Sequence, residues 1–238
     1  MRSLRNSPAI DRPDRHVIPL AKVADQRQIE ALTPLLRDRI CVVVGSAPRV
    51  SRYVEIHPGE LSIPVNGGIS SVKGEVDLWI VGSKHYDVHE AMTRQLHRTM
   101  LDQAKKRIVN RALFLRGPKH ASEQHTLERL HARDCRVERY SVLDKPTKRW
   151  LEAELCGRTD DKQPCSSGIL AASVALWCGA TSVRLEGISL KPGYHYLPNR
   201  EGEAWWRDHV NADRRALQCL RRRFHEKIQG DIFKGIAA

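Results

Sequence analysis

His209 and Asp213 stand four residues apart in "DHVNAD". That is one helical turn, so a carboxylate can orient an imidazole on a continuous helix. An imidazole held this way is the natural general base near neutral pH. A short way upstream, "KPGYHYLP" supplies Lys191, Tyr194, His195 and Tyr196. Their ammonium, hydroxyl and imidazole groups are suited to steadying a phosphate as it leaves. "PCSSGILAASVALWCG" opens with Ser166, Ser167 and Gly168 ahead of an apolar, small-residue run. A helix starting there presents free N–H groups and the positive end of its dipole. The serines read as hydrogen-bonding groups rather than nucleophiles, because no G-x-S-x-G elbow surrounds them.

Two further segments are built for close approach. "VVVGSAPR" carries Gly45, Ser46 and Ala47 at the end of a β-branched run, where a small-residue turn admits a ligand to the backbone. "VNGG" puts Asn66 at a strand end with Gly67 and Gly68 behind it, so an amide can meet a sugar or base while the chain turns away. Neither segment is G-x-G-x-x-G, and a dinucleotide site is not indicated.

The elements that must position these residues follow from periodicity. Strands are predicted at 39–46, 61–68, 76–83, 111–117, 135–142 and 182–188. Helices are predicted at 26–36, 87–106, 125–132, 148–155, 166–178 and from about Glu203 to Ile228. In the last of these, Val210, Leu217, Leu220, Phe224 and Ile228 share one face. The alternation of strand and helix indicates an α/β domain with a mainly parallel sheet. Residues 1–37 read as a basic arm ending in a short helix, and 38–238 as one domain.

Composition bounds the partners. The 238 residues carry a net charge of +12, which favours anionic ligands such as nucleotides, nucleic acid or an acidic membrane surface. No apolar run approaches the ~18 residues of a membrane span, and the basic, proline-interrupted start is unlike a secretory signal. The expected location is cytoplasmic, with peripheral contact at an anionic membrane face. The six cysteines form no C-x-x-C pair and read as buried reduced thiols; no metal site is expected.

Together these segments resemble the sialyltransferases, both the large and small sialyl motifs of the animal-type enzymes and the matching segments of bacterial lipooligosaccharide sialyltransferases. The resemblance covers roughly Cys41–Gly82 and Pro164–Phe224. It implies a Rossmann-like fold of the GT-A variant and an inverting, metal-independent transfer from a CMP-sugar, with no cofactor beyond that donor. On it, Gly45, Ser46 and Asn66 line the nucleotide site, and Ser166, Ser167 and Gly168 hold cytidine and ribose. Tyr194 and Tyr196 steady the phosphate, and His209 accepts the acceptor's proton. The donor is CMP-sialic acid or CMP-Kdo, and the acceptor a glycan or glycolipid. Departures stand at the first turn, Gly-Ser-Ala-Pro in place of Gly-Asn, and in the shorter His209 segment. Competing readings are a non-catalytic or different nucleotide-dependent protein on the same fold, such as a pterin diphosphokinase-like one, and a nucleic-acid binder using the five arginines of "RRALQCLRRRF". No helix-turn-helix, zinc finger or RNA-recognition signature supports the last.

Overall fold

A β-branched run with both faces apolar belongs in the middle of a parallel sheet. In the computed structural model, which describes residues 24–47, 53–82, 100, 102–115, 135–157, 165–190 and 210–235, β1 (Ile40–Val44) occupies that place. It pairs in parallel with β2 (Glu60–Pro64) and with β6 (Ser182–Glu186), and β6 pairs with β7 (Ile228–Gly230). A second parallel ladder contains β3 (Trp79–Gly82), β4 (Ile108–Leu115) and β5 (Arg136–Leu143). The ladders meet where Val65 bridges Ile80 in parallel, and the Leu78 N–H donates to Ser62 O at 3.1 Å. The order across the sheet is therefore β7-β6-β1-β2-β3-β4-β5.

That order places the site. From β1 the chain moves outward through β2 to β5, then returns to the other side of β1 with β6 and β7. The direction of progression reverses between β1 and β6. Loops leaving two such strands diverge, and ligands of open α/β sheets bind in the crevice beyond their carboxyl ends.

Five helices are described: α1 (Arg27–Glu30), α2 (Thr33–Leu36), α3 (Lys145–Cys156), α4 (Ser167–Trp177) and α5 (Val210–Arg223). One core cluster joins Cys41, Val43, Leu61, Ile63, Val183 and Leu185 of the sheet to α1–α5. The opposite face buries Val42, Val44, Ile69, Trp79, Val81 and Phe114. Every residue from Gly168 to Leu176 in α4 is buried, as expected of a helix apolar all round. Burying Ile169, Leu170, Val174 and Leu176 stabilises the fold by about 1.5–3 kcal/mol each. α4 is thus a fixed platform against β1, β3 and β6.

Three expectations about elements change. The single helix over 26–36 is two short ones. Pro34, in the first turn of α2, has no N–H for Glu30 and its ring clashes with that carbonyl. The last helix ends at Arg223 rather than Ile228; the 224–227 turn carries Ile228 into β7, where it pairs with Val183. The sheet among the described residues therefore has seven strands, one more than the sequence predicts. Finally, the second predicted strand, 61–68, stops at Pro64, and Asn66–Ser71 forms a 3₁₀ turn. Ile29, Leu32 and Leu36, in the N-terminal helical segment, are fully buried in the main core.

Candidate active site

The three small-residue segments converge at the reversal point. The β1–β6 ladder continues past both strands, with Gly45 N–H donating to Glu186 O at 2.7 Å and Ala47 N–H to Gly187 O at 2.8 Å. A methyl on Gly45 would lie 2.3 Å from Gly187 O and 2.9 Å from Ile188 Cγ1. On Gly68 it would lie 2.0 Å from Val44 O, and on Gly168 it would lie 2.8 Å from Ile188 Cδ1. Gly45, Gly68 and Gly168 are thus packed around Val44 and the Gly187–Ile188 turn. Sequence reasoning assigns glycine here to ligand approach. For Gly45 and Gly68 the structure adds a prior reason, which is contact between backbones, while Gly168 meets the Ile188 side chain.

Ser46 and Ala47 are half-buried at the mouth of β1. Asn66 is half-buried, with a left-handed φ of 48°, and is the first residue of the 3₁₀ turn. Its Oδ1 accepts Gly82 N–H at 2.7 Å, and its backbone O accepts Trp79 Nε1–H at 3.1 Å. With Oδ1 committed to β3, the group Asn66 offers a ligand is its Nδ2 amide. Gly67 and Gly68 are buried behind it.

Ser166 is the N-cap residue of α4, but its hydroxyl makes no capping bond. Its backbone N–H instead donates to Asp213 Oδ1 at 2.7 Å. The hydroxyls of Ser166 and Ser167, both half-buried, stand at the N-terminal end of α4. Cys165, just before them, is 3% exposed, and its hydrogen bond with Cys156 together with burial pushes its thiol far up, so it stays protonated. Asp213 lies in the first turn of α5 and is buried. His209, Lys191, Tyr194, His195 and Tyr196 all lie outside the described residues.

The arrangement offers hydroxyls, an amide and helix-end N–H groups at the reversal point of the sheet, chemistry suited to the hydroxyls, ring nitrogens and phosphate of a nucleotide. Three contributors have no clear sequence signal. Ile188 wedges between Gly45 and Gly168. Asp77 Oδ2 accepts both the N–H and hydroxyl of Ser62, at 2.8 and 2.9 Å, and so ties β2 to the start of β3. Arg107 is buried, and its guanidinium donates to Val72 O at 2.6 Å, to Ser70 O at 3.3 Å and to Gln103 O, holding the far end of the Asn66–Ser71 turn. The one hint of Ile188 is its place after a strand-ending glycine.

No protein-family model and no curated protein matches the sequence. Solved structures do. The sialyltransferase CST-II, in complex with a trisaccharide acceptor and CMP, matches at a TM-score of 0.51 and 11% identity, over 82% of this chain and 82% of its own. CstII from Campylobacter jejuni with the substrate analogue CMP-3FNeuAc matches at 0.49 and 12%, over 83% and 82%. The monofunctional α-2,3-sialyltransferase Cst-I from Campylobacter jejuni matches at 0.45 and 10%, over 88% and 78%. A parallel sheet that reverses between β1 and β6, with a buried small-residue helix beneath the crevice, is thus built on the fold of the sialyltransferase CST-II.

Proposed function

We propose that this protein is an inverting, metal-independent glycosyltransferase that takes a sugar from a CMP-sugar donor, CMP-sialic acid or CMP-Kdo, and places it on a glycan or glycolipid hydroxyl. The observation that carries this reading is the convergence of 45–47, 66–68 and 166–168 at the reversal point of the sheet. It is joined by a fold shared with a sialyltransferase that was solved with CMP and an acceptor.

In this reading Ser166, Ser167 and Gly168 hold cytidine and ribose, while Gly45, Ser46, Ala47, the Asn66 amide and Gly67 line the nucleotide site. The bond from the anomeric carbon to the phosphate oxygen breaks, and its electron pair stays on the phosphate of CMP. Lys191, Tyr194, His195 and Tyr196 stabilise that developing charge. His209, deprotonated, takes the proton of the acceptor hydroxyl as its oxygen bonds the anomeric carbon from the opposite face. One displacement inverts the centre. A surface with a net charge of +12 suits both an anionic donor and a glycolipid acceptor presented on an anionic membrane face. No helix among the described residues is long and apolar enough to cross a membrane.

The test is a thermal-shift screen with CMP, CDP, UDP, GDP, ATP and AMP. CMP at 100 times its Kd adds about 2.7 kcal/mol of stability. Stabilisation by ATP or GDP alone overturns the donor assignment.

A further inference from the structure

Asp213 is four residues after His209, and by sequence alone its partner is that imidazole. One of its carboxylate oxygens reaches a different segment. The side chain is 6% exposed, and Oδ1 accepts the backbone N–H of Ser166, 47 residues away, at 2.7 Å. Ser166 receives no hydroxyl cap of its own, so this carboxylate anchors the start of α4. The anchor sits where α3, α4 and α5 pack together. Ala216, Leu217 and Leu220 continue the same buried face of α5. The one turn of α5 that follows His209 is therefore tied directly to the turn that opens the crevice.

We propose that Asp213 is a positioning residue for the donor end of the site. It holds Ser166–Gly168 against Gly45 and Ile188, and it ties that turn to the first turn of α5. This rests on the CMP-sugar reading and deepens it. A ligand that meets a turn already in place is spared the ordering cost. Losing a hydrogen bond to a buried charge corresponds to about 10–100-fold in an equilibrium constant. Asp213→Asn keeps an acceptor oxygen where the carboxylate stood, and Asp213→Ala does not.

The experiment is a CMP titration by calorimetry on the full chain, with the pH profile of transfer measured on the same variants. D213A is expected to weaken CMP about 10–100-fold, and D213N to recover it to within about 3-fold. The acid limb of the kcat/KM profile stays where it is in D213N. Should D213A fail to fold, Ser166→Pro removes the same hydrogen bond from the donor side, since the Ser166 φ of −61° already fits the ring. S166P is expected to bind CMP about 10–100-fold more weakly than Ser166→Ala, which removes the hydroxyl alone. Wild-type affinity in D213A, or equal affinity in S166P and S166A, overturns the proposal. So does an acid limb displaced in D213N, which would assign Asp213 to the imidazole. A wild-type protein that binds no CMP overturns the donor reading, and this proposal with it, and so is distinct from the other failures.

Discussion

Replacing Gly45 by alanine puts a methyl 2.3 Å from Gly187 O and 2.9 Å from Ile188 Cγ1. The nearer contact is backbone against backbone, so no rotamer relieves it. Restoring an ordinary separation means parting the ends of β1 and β6 by about 1 Å. Gly45 N–H to Glu186 O and Ala47 N–H to Gly187 O, at 2.7 and 2.8 Å, then stretch beyond hydrogen-bond range. Each net bond contributes about 0.5–1.5 kcal/mol, and overpacking adds about 1–3 kcal/mol. The expected loss is about 2–6 kcal/mol, and at about 2–4 °C per kcal/mol for a chain of this size Tm falls by about 4–24 °C. Gly168→Ala is the control. Its methyl meets Ile188 Cδ1 at 2.8 Å, the end of a rotatable side chain, and alanine adds up to about 1 kcal/mol of helix propensity over glycine. G168A should stay within about 1 kcal/mol of wild type. Thermal and urea unfolding of the two variants side by side measures the difference. A G45A protein that melts within 2 °C of wild type, or a G168A protein that loses as much as G45A, refutes the packing argument.

His209→Ala should lower transfer by about 10²–10⁴-fold while CMP still binds; full transfer with CMP release removes His209 from the reaction. Asn66→Ala and Asn66→Gly both strip the acceptor from Gly82 N–H, but only alanine is strained at φ 48°, so urea denaturation should find N66A about 1 kcal/mol less stable than N66G. Asp144 is the N-cap of α3. Burial opposes its ionisation, and hydrogen bonds from Thr147 and Gln28 outweigh that and hold its carboxyl below the ordinary 3.8. A depressed folded value contributes stability above the unfolded value that is lost as pH falls through the folded one. D144A should thus cost about 1 kcal/mol at pH 7, a gap that shrinks below about pH 4; a gap of equal size at pH 3 would contradict this. Burial pushes the Cys41 thiol up to about 12 and Cys178 to about 11, whereas Cys219 is half-buried, so native-state alkylation at pH 8 should label Cys219 first and the others only on unfolding.

Much of the sheet was legible because its signals are local. "ICVVVG" and "SVRLEG" are short apolar runs closed by glycine, and both strands lie within a residue or two of the spans they predict. α3 is predicted at 148–155 and runs Lys145–Cys156, the extra turn at its start following the Asp144 cap and holding Pro146. Ile228 misled because its spacing from Leu217 and Leu220 suits a helix face. What decides its state is the open edge of β6 alongside it, a non-local fact. In the same way the segments at 45, 66 and 166 could be named from the sequence, but not their meeting point. That depends on the order in which strands pair. The Asp213–Ser166 bond spans 47 residues and leaves no spacing signature.

Gly45 and Gly68 each have a backbone packing reason to be glycine, so their presence does not by itself argue for a ligand. The polar atoms around them carry that case, and the structure narrows those too. Asn66 Oδ1 is held by Gly82, and the Ser166 N–H by Asp213. In the described part of the site, the recognition groups beside them are the Asn66 amide, the hydroxyls of Ser166 and Ser167, and the N–H groups at the start of α4. These are neutral groups that read hydroxyls and ring nitrogens, and none supplies a full positive charge for the phosphate. On the donor reading, affinity for the nucleoside half is then set by residues 66, 166 and 167, and the response to the phosphate by Lys191 through His209. Cytidine and CMP separate the two. Ser167→Ala should weaken both by the same factor, and Lys191→Ala should weaken CMP alone. Equal losses for cytidine and CMP in K191A would show that this division of labour is wrong.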